Sequence, residues 1–191
     1  MFKICKFNLV GAIITLAIMI SGCTTTAVSH RDTVATMKPP EVKFGAFEKI
    51  FFRSTGINSA LASHPANQKA LVKIDEYLLS RVLQIFPSLT VIKANEQLDG
   101  LDKKSLLIEP FVDDIRFIGG AVRFWAGAMA GDSNVTLHVT FTDLSQDKVI
   151  ARPIFHQRSA AMAGAWSFGG HDRSMLTRIG DLACEYIQLY L

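Results

Sequence analysis

Thiols are scarce in this chain of 191 residues, which has 3 cysteines and only 2 tryptophans. Charge is thin as well: Asp, Glu, Lys and Arg make up 19%, with 20 basic residues against 17 acidic ones. Lys3 and Lys6 are the only charges in residues 1–22, so the rest of the chain carries 18 basic and 17 acidic residues. A balance so near neutrality gives no electrostatic footprint for nucleic acid. An apolar share of 49% excludes intrinsic disorder and a collagen-like repeat. One folded domain is expected. The apolar run Leu9–Ile20 has twelve residues, too few for a permanent membrane-spanning helix, which needs about 20.

That short run follows the basic Lys3 and Lys6 and ends in Ile20-Ser21-Gly22-Cys23. An aliphatic residue, two small residues and a cysteine match the bacterial lipobox at all four positions. Residues 1–22 are therefore expected to be a lipoprotein signal peptide. Cys23 is expected to carry a covalent diacylglycerol and an N-acyl chain, with no other cofactor. Each buried methylene contributes roughly 0.8 kcal/mol, so two or three acyl chains hold a protein stably on a membrane. Cys5 leaves with the signal peptide, and Cys184 then has no disulfide partner. It lies in an amphipathic segment and reads as a small buried hydrophobe. Thr24, in place of the aspartate that marks inner-membrane retention, implies the outer membrane with the body facing the periplasm. Residues 24–41 are Thr-rich, polar and closed by Pro39-Pro40. With Cys23 they read as a flexible tether over 23–41, leaving 42–191 as a single periplasmic domain.

Within that domain, Val42–Phe52 reads as a strand. From Pro65 to Phe86, Leu71, Ile74, Leu78, Val82 and Ile85 recur at helical spacing, with Ser63 or Asn67 as cap and Pro87 as stop. Leu89–Ile92 and Leu106–Ile118 read as strands, the second with an edge or bulge at Pro110. Asn134–Thr142 alternates cleanly, with Val135, Leu137, Val139 and Phe141 on one face. A turn over Asp143–Asp147 leads to a strand over Lys148–Arg158. Placing Val149, Ala151 and Phe155 on the same face as Val135 to Phe141 requires an odd loop. Asp172 can cap a last helix carrying Leu176, Ile179, Ala183, Tyr186, Ile187 and Tyr190. The order β-α-β-β-β-β-α predicts an α+β two-layer sandwich, mainly antiparallel, with both helices on one face.

Signals of catalysis are sparse. There is no G-x-S-x-G elbow, and Gly119-Gly120 and Gly169-Gly170 lack the spacing and the Lys-Ser/Thr follower of a phosphate loop. His30, His64, His138, His156 and His171 include no i, i+4 pair. His138 and His156 lie on adjacent predicted strands, and a metal site from them with Asp132 or Asp113 is the enzyme alternative; no metal is the primary expectation. Asp113 and Asp114 point to opposite faces of a strand unless a bulge intervenes. More informative are two small-residue stretches, 119–131 and 160–170, which contain Phe124, Trp125, Met129, Met162, Trp166 and Phe168. Antiparallel pairing would bring both to one end of the sheet. They are either tight turns packing their aromatics into the core or a partner- or lipid-facing patch built on those six side chains.

Lipobox, tether and then Arg123-Phe-Trp-Ala-Gly-Ala-Met-Ala-Gly-Asp-Ser133, running into an alternating strand that ends at Asp143, resemble an uncharacterised family of bacterial lipoproteins. It is a domain of unknown function. The resemblance spans roughly 42–191 and is most specific over 119–152, with Ser-Gln-Asp standing where a Thr-Gly turn is common. It implies no catalytic residues. The expected function is a non-enzymatic binding or assembly module, held to the membrane by lipid and partnered by an envelope protein or by copies of itself. The alternative is a periplasmic hydrolase or metal-dependent enzyme.

Overall fold

The computed structural model describes residues 34–98, 104–118, 126, 131–159 and 170–191. Along the chain come strands β1 (Lys49–Arg53) and β2 (Gly56–Ile57), then helices α1 (Ser59–Ala62) and α2 (Pro65–Ile85). Strands β3 (Thr90–Ile92), β4 (Ser105–Arg116), β5 (Ser133–Asp143), β6 (Lys148–Ala151) and β7 (Ile154–Ser159) follow, and helix α3 (Gly170–Leu189) is the last element. One sheet runs β3-β1-β4-β5-β6, with β2 extending the line of β1 and β7 that of β6. Helices α2 and α3 pack on each other and share one buried cluster with the sheet. The α+β class and the element order therefore stand.

Strand β5 alternates as its sequence requires. Val135, Leu137, Val139 and Phe141 are buried beneath the helices, while Asn134, Thr136, His138 and Thr142 are half-exposed on the outer face. Opposite them in β4, Val112 faces Leu137 but Ile115 faces Val135, because Asp113 is an extra residue that shifts the register. The bulge falls there, and not at Pro110. Val139 N–H donates to Pro153 O, away from β4 (3.2 Å), so Pro110, opposite Val139, turns its ring nitrogen to the other neighbour. On that side β1 pairs no further than Ile108 and β2 begins at Phe111. The missing N–H thus meets a gap in the ladder.

Several expectations need correction. The pairing is mainly antiparallel, as expected, through β4–β5, β5–β6 and β5–β7, but the sheet is mixed: β1 pairs in parallel with both β3 and β4, and β2 in parallel with β4. Helix α2 carries the chain back to the starting end of the sheet, so β3 must run in the direction of β1. Val42–Phe47 is not strand; Phe44–Ala46 forms a 3-10 turn that drives the Phe44 ring onto Phe141, centroids 4.5 Å apart. The hairpin loop 144–147 is even, not odd, since Asp143 pairs with Lys148. Val149 therefore points outward and Ile150 inward, and a register shift there returns Phe155 to the core. Ser63 and Asn67 do not cap α2. Asn67 lies inside it, its amide donating to Leu61 O (3.2 Å) and accepting from Phe117 N–H (3.4 Å). Helix α3 begins at Gly170, which puts Asp172 in its first turn.

The expected tether is also shorter. Val34 is buried, Tyr186 Oη donates to Lys38 O (2.8 Å), and Glu41 N–H donates to Ile150 O (3.0 Å). Residues 34–41 thus lie against the β6 edge and shield its unpaired backbone. The Lys148 ammonium beside Glu41 holds that carboxyl below the usual range.

The helices meet closely at Gly180, where a Cβ would come within 2.7 Å of the Tyr77 ring. Tyr77 Oη donates to Asp181 Oδ1 at 2.6 Å. Burial, then that hydrogen bond, push the Tyr77 phenol up to about 12. Burial likewise lifts Tyr186 and the Cys184 thiol to about 12. These groups are neutral in the fold and ionise earlier when unfolded, so their stabilisation is complete below their ordinary values and is lost as pH rises toward 12. The melting temperature should fall between about pH 9 and 12, and Tyr77→Phe should flatten that fall; an unchanged profile contradicts the Tyr77 assignment. Leu78→Asp and Ile179→Asp, each burying an unpaired charge, should each cost about 4 kcal/mol or more. The exposed Val72→Asp should melt like the parent. Parent-like melting of either core variant would overturn the two-layer packing.

Candidate functional site

Three chain segments meet at one end of the sheet. Arg116 of β4 pairs with Asn134 of β5, which pairs with Arg158 of β7, and Ser133 pairs with Ser159. Ile118 N–H donates to Ser133 Oγ (3.1 Å), tying the exit of β4 to the entry of β5. The stretches 119–131 and 160–170 therefore leave from adjacent strand ends, as the hairpin register requires. Phe124, Trp125, Met129, Met162, Trp166 and Phe168 themselves lie outside the described residues, and so does Cys23.

Polar pairs mark the strand ends where these stretches depart. Arg158 Nε donates to Asp132 Oδ2 (2.8 Å), and Asn134 Nδ2 donates to Asp114 Oδ2 (2.9 Å). Gly131 turns the chain into β5 with φ +83, and a Cβ there would stand 3.0 Å from the Arg116 guanidinium. That position suits glycine on both counts. Beside this end, the first turns of α2 border a groove of about 900 Å³ with Phe117 and Leu176. Val72 and Tyr77 also line it. Both lie off the apolar stripe of α2, and that misplaced apolarity was its one signal in the sequence.

The outer sheet face carries the histidines singled out above. The Asp113 bulge supplies the exception needed for both carboxylates to share this face. Asp113 Oδ2 lies 2.6 Å from His138 Nδ1, and the His138 ring stacks on Phe111 with centroids 5.3 Å apart. His156 pairs with Thr136 instead, Nδ1 to Oγ1 3.0 Å. The two histidines share the face but engage different partners, and Asp132 is taken up by Arg158. Among the described residues no three His, Cys, Asp or Glu side chains are grouped to hold a metal ion. Cys184 is buried on the inner side of α3, and its raised thiol makes it a poor nucleophile.

The sequence matches no known family and no curated protein. Solved structures that it is similar to include the PelC dodecamer from Paraburkholderia phytofirmans, at 13% identity and TM-score 0.45, over 76% of this chain and 92% of that one. A DUF330 protein from Xanthomonas campestris is similar at 10% identity and TM-score 0.43, over 81% and 96%. A minor lipoprotein from Acinetobacter baumannii follows at 9% identity and TM-score 0.32, over 74% and 93%. Likeness this shallow transfers no ligand, partner or activity to this chain.

With Asp113 43% exposed, the His138 pair sits in solvent-screened surroundings. A double-mutant cycle of His138→Ala and Asp113→Asn should give a coupling of at most about 1 kcal/mol in thermal unfolding. A coupling above about 3 kcal/mol would mark a desolvated dyad, as a reaction centre requires.

Proposed function

We propose that this chain is a lipid-anchored, non-enzymatic module of the outer membrane. It faces the periplasm and binds an envelope protein or a second copy of itself. The observation that carries this reading is the strand register at the end of β4, β5 and β7, which makes two Trp- and Met-containing stretches depart side by side. Small residues there let a partner come close to the backbone, and Phe124, Trp125, Met129, Met162, Trp166 and Phe168 supply the large apolar side chains from which binding hot spots are built. The complete lipobox at Ile20–Cys23 supports the anchor, and Thr24 supports the outer membrane.

Cys23→Ala should abolish palmitate incorporation and leave the precursor uncleaved; normal labelling in that variant contradicts the anchor. Trp125→Ala combined with Trp166→Ala should lose partner co-purification from detergent-solubilised membranes while shifting the melting temperature by less than about 4 °C. If the double variant unfolds instead, the two tryptophans are core residues and the binding surface lies elsewhere.

A further inference from the structure

We propose that the β6–β7 edge, with Met37–Glu41 lying along it, is the surface that rests on the membrane, its ligand being the phospholipid headgroup interface. The inference rests on the reading of Cys23 as the lipid anchor. Val149 and Ile154 are 51% and 50% exposed, among the most exposed large apolar side chains described. They stand opposite Thr142 and His138, on the side of the sheet away from the helices. With Met37 and Pro39 they border a recess of about 450 Å³. Lys38 and Arg152 line it too, and Lys148 beside it is ion-paired with Glu41. Exposed aliphatic side chains beside long basic ones suit a surface that dips between headgroups while its cations stay at phosphate level.

Chain length supplies the occupant. Val34 is one turn from Met37, whose N–H donates to Val34 O (3.0 Å), so the chain enters the body beside this patch. Only residues 24–33 separate Val34 from Cys23, a reach of about 35 Å when fully extended. A folded body of this size has a radius of gyration of about 15 Å, hence a width near 40 Å. The tether is thus no longer than the body is wide, and the end where it attaches is held toward the lipid. The opposite edge, β3, lies four strand spacings away, about 19 Å farther along the sheet.

The test uses the full-length lipidated protein in vesicles of phosphatidylethanolamine and phosphatidylglycerol. Val149→Cys, Ile154→Cys and Val72→Cys are each labelled with a nitroxide, the native Cys184 being buried. Collisions with an aqueous nickel chelate should be lost at 149 and 154, with dissolved oxygen still reaching them, and retained at 72. Flotation with the vesicles but equal nickel collisions at all three sites overturns the membrane-facing edge and leaves the anchor intact. Failure to float removes the anchor, and the inference with it. Shielding that vanishes when each vesicle holds a single copy means that a second copy covers the edge, which also contradicts the proposal.

Discussion

Strand β5 is the ruler against which the rest of the sheet is set, because its side-chain period of two admits one face beneath the helices and no other. Both neighbours adjust to it by inserting a residue. In β4 the insertion is Asp113, without which Ile115 would face water instead of Val135. In β6 the register shift lies at Ile150, which turns inward while Val149 is left outside. Each insertion keeps apolar side chains under α2 and α3 and expels a different residue to the outer face. The carboxylate beside His138 and the exposed aliphatic edge are thus by-products of one constraint.

The same arrangement fixes what the helices do. Close approach at Gly180 lets Tyr77 reach Asp181, and α3 carries Tyr186 into the aromatic cluster of Phe44, Phe141 and Phe155. Tyr186 also donates to Lys38 O through its hydroxyl, so the last helix clamps the segment by which the chain enters the fold. The core and the entry of the chain are therefore coupled through one side chain.

Much of this was legible in the residues. The stripe of α2, the alternation of β5 and the order of elements follow from periodicity alone, which local sequence carries well. Parallel pairing of β1 with β3 was not legible, since three-residue Thr90–Ile92 has no pattern that names its neighbour. The tether boundary was missed because Val34 and Met37 sit singly in a Thr-rich stretch, and isolated apolar residues leave no period. Bulges escape for a related reason: Asp113 and Ile150 differ from ordinary strand residues only through the partner that they skip. Of the candidate site, the juxtaposition of 119–131 and 160–170 at one sheet end could be read from the hairpin order, whereas the separate partners of His138 and His156 depend on the strand register and on the bulge at Asp113.

Function then divides along the strands. The two small-residue stretches depart from the ends of β4, β5 and β7, and residues 37–41 lie along the β6–β7 edge. The central claim, that recognition belongs to the end of the sheet where 119–131 and 160–170 depart, is tested most directly by photo-crosslinking in cells. A photoreactive residue at position 125 or 166 should capture a discrete partner band, while the same residue at the exposed position 91 on the β3 edge should capture none. Crosslinks from position 91 alone would contradict the account.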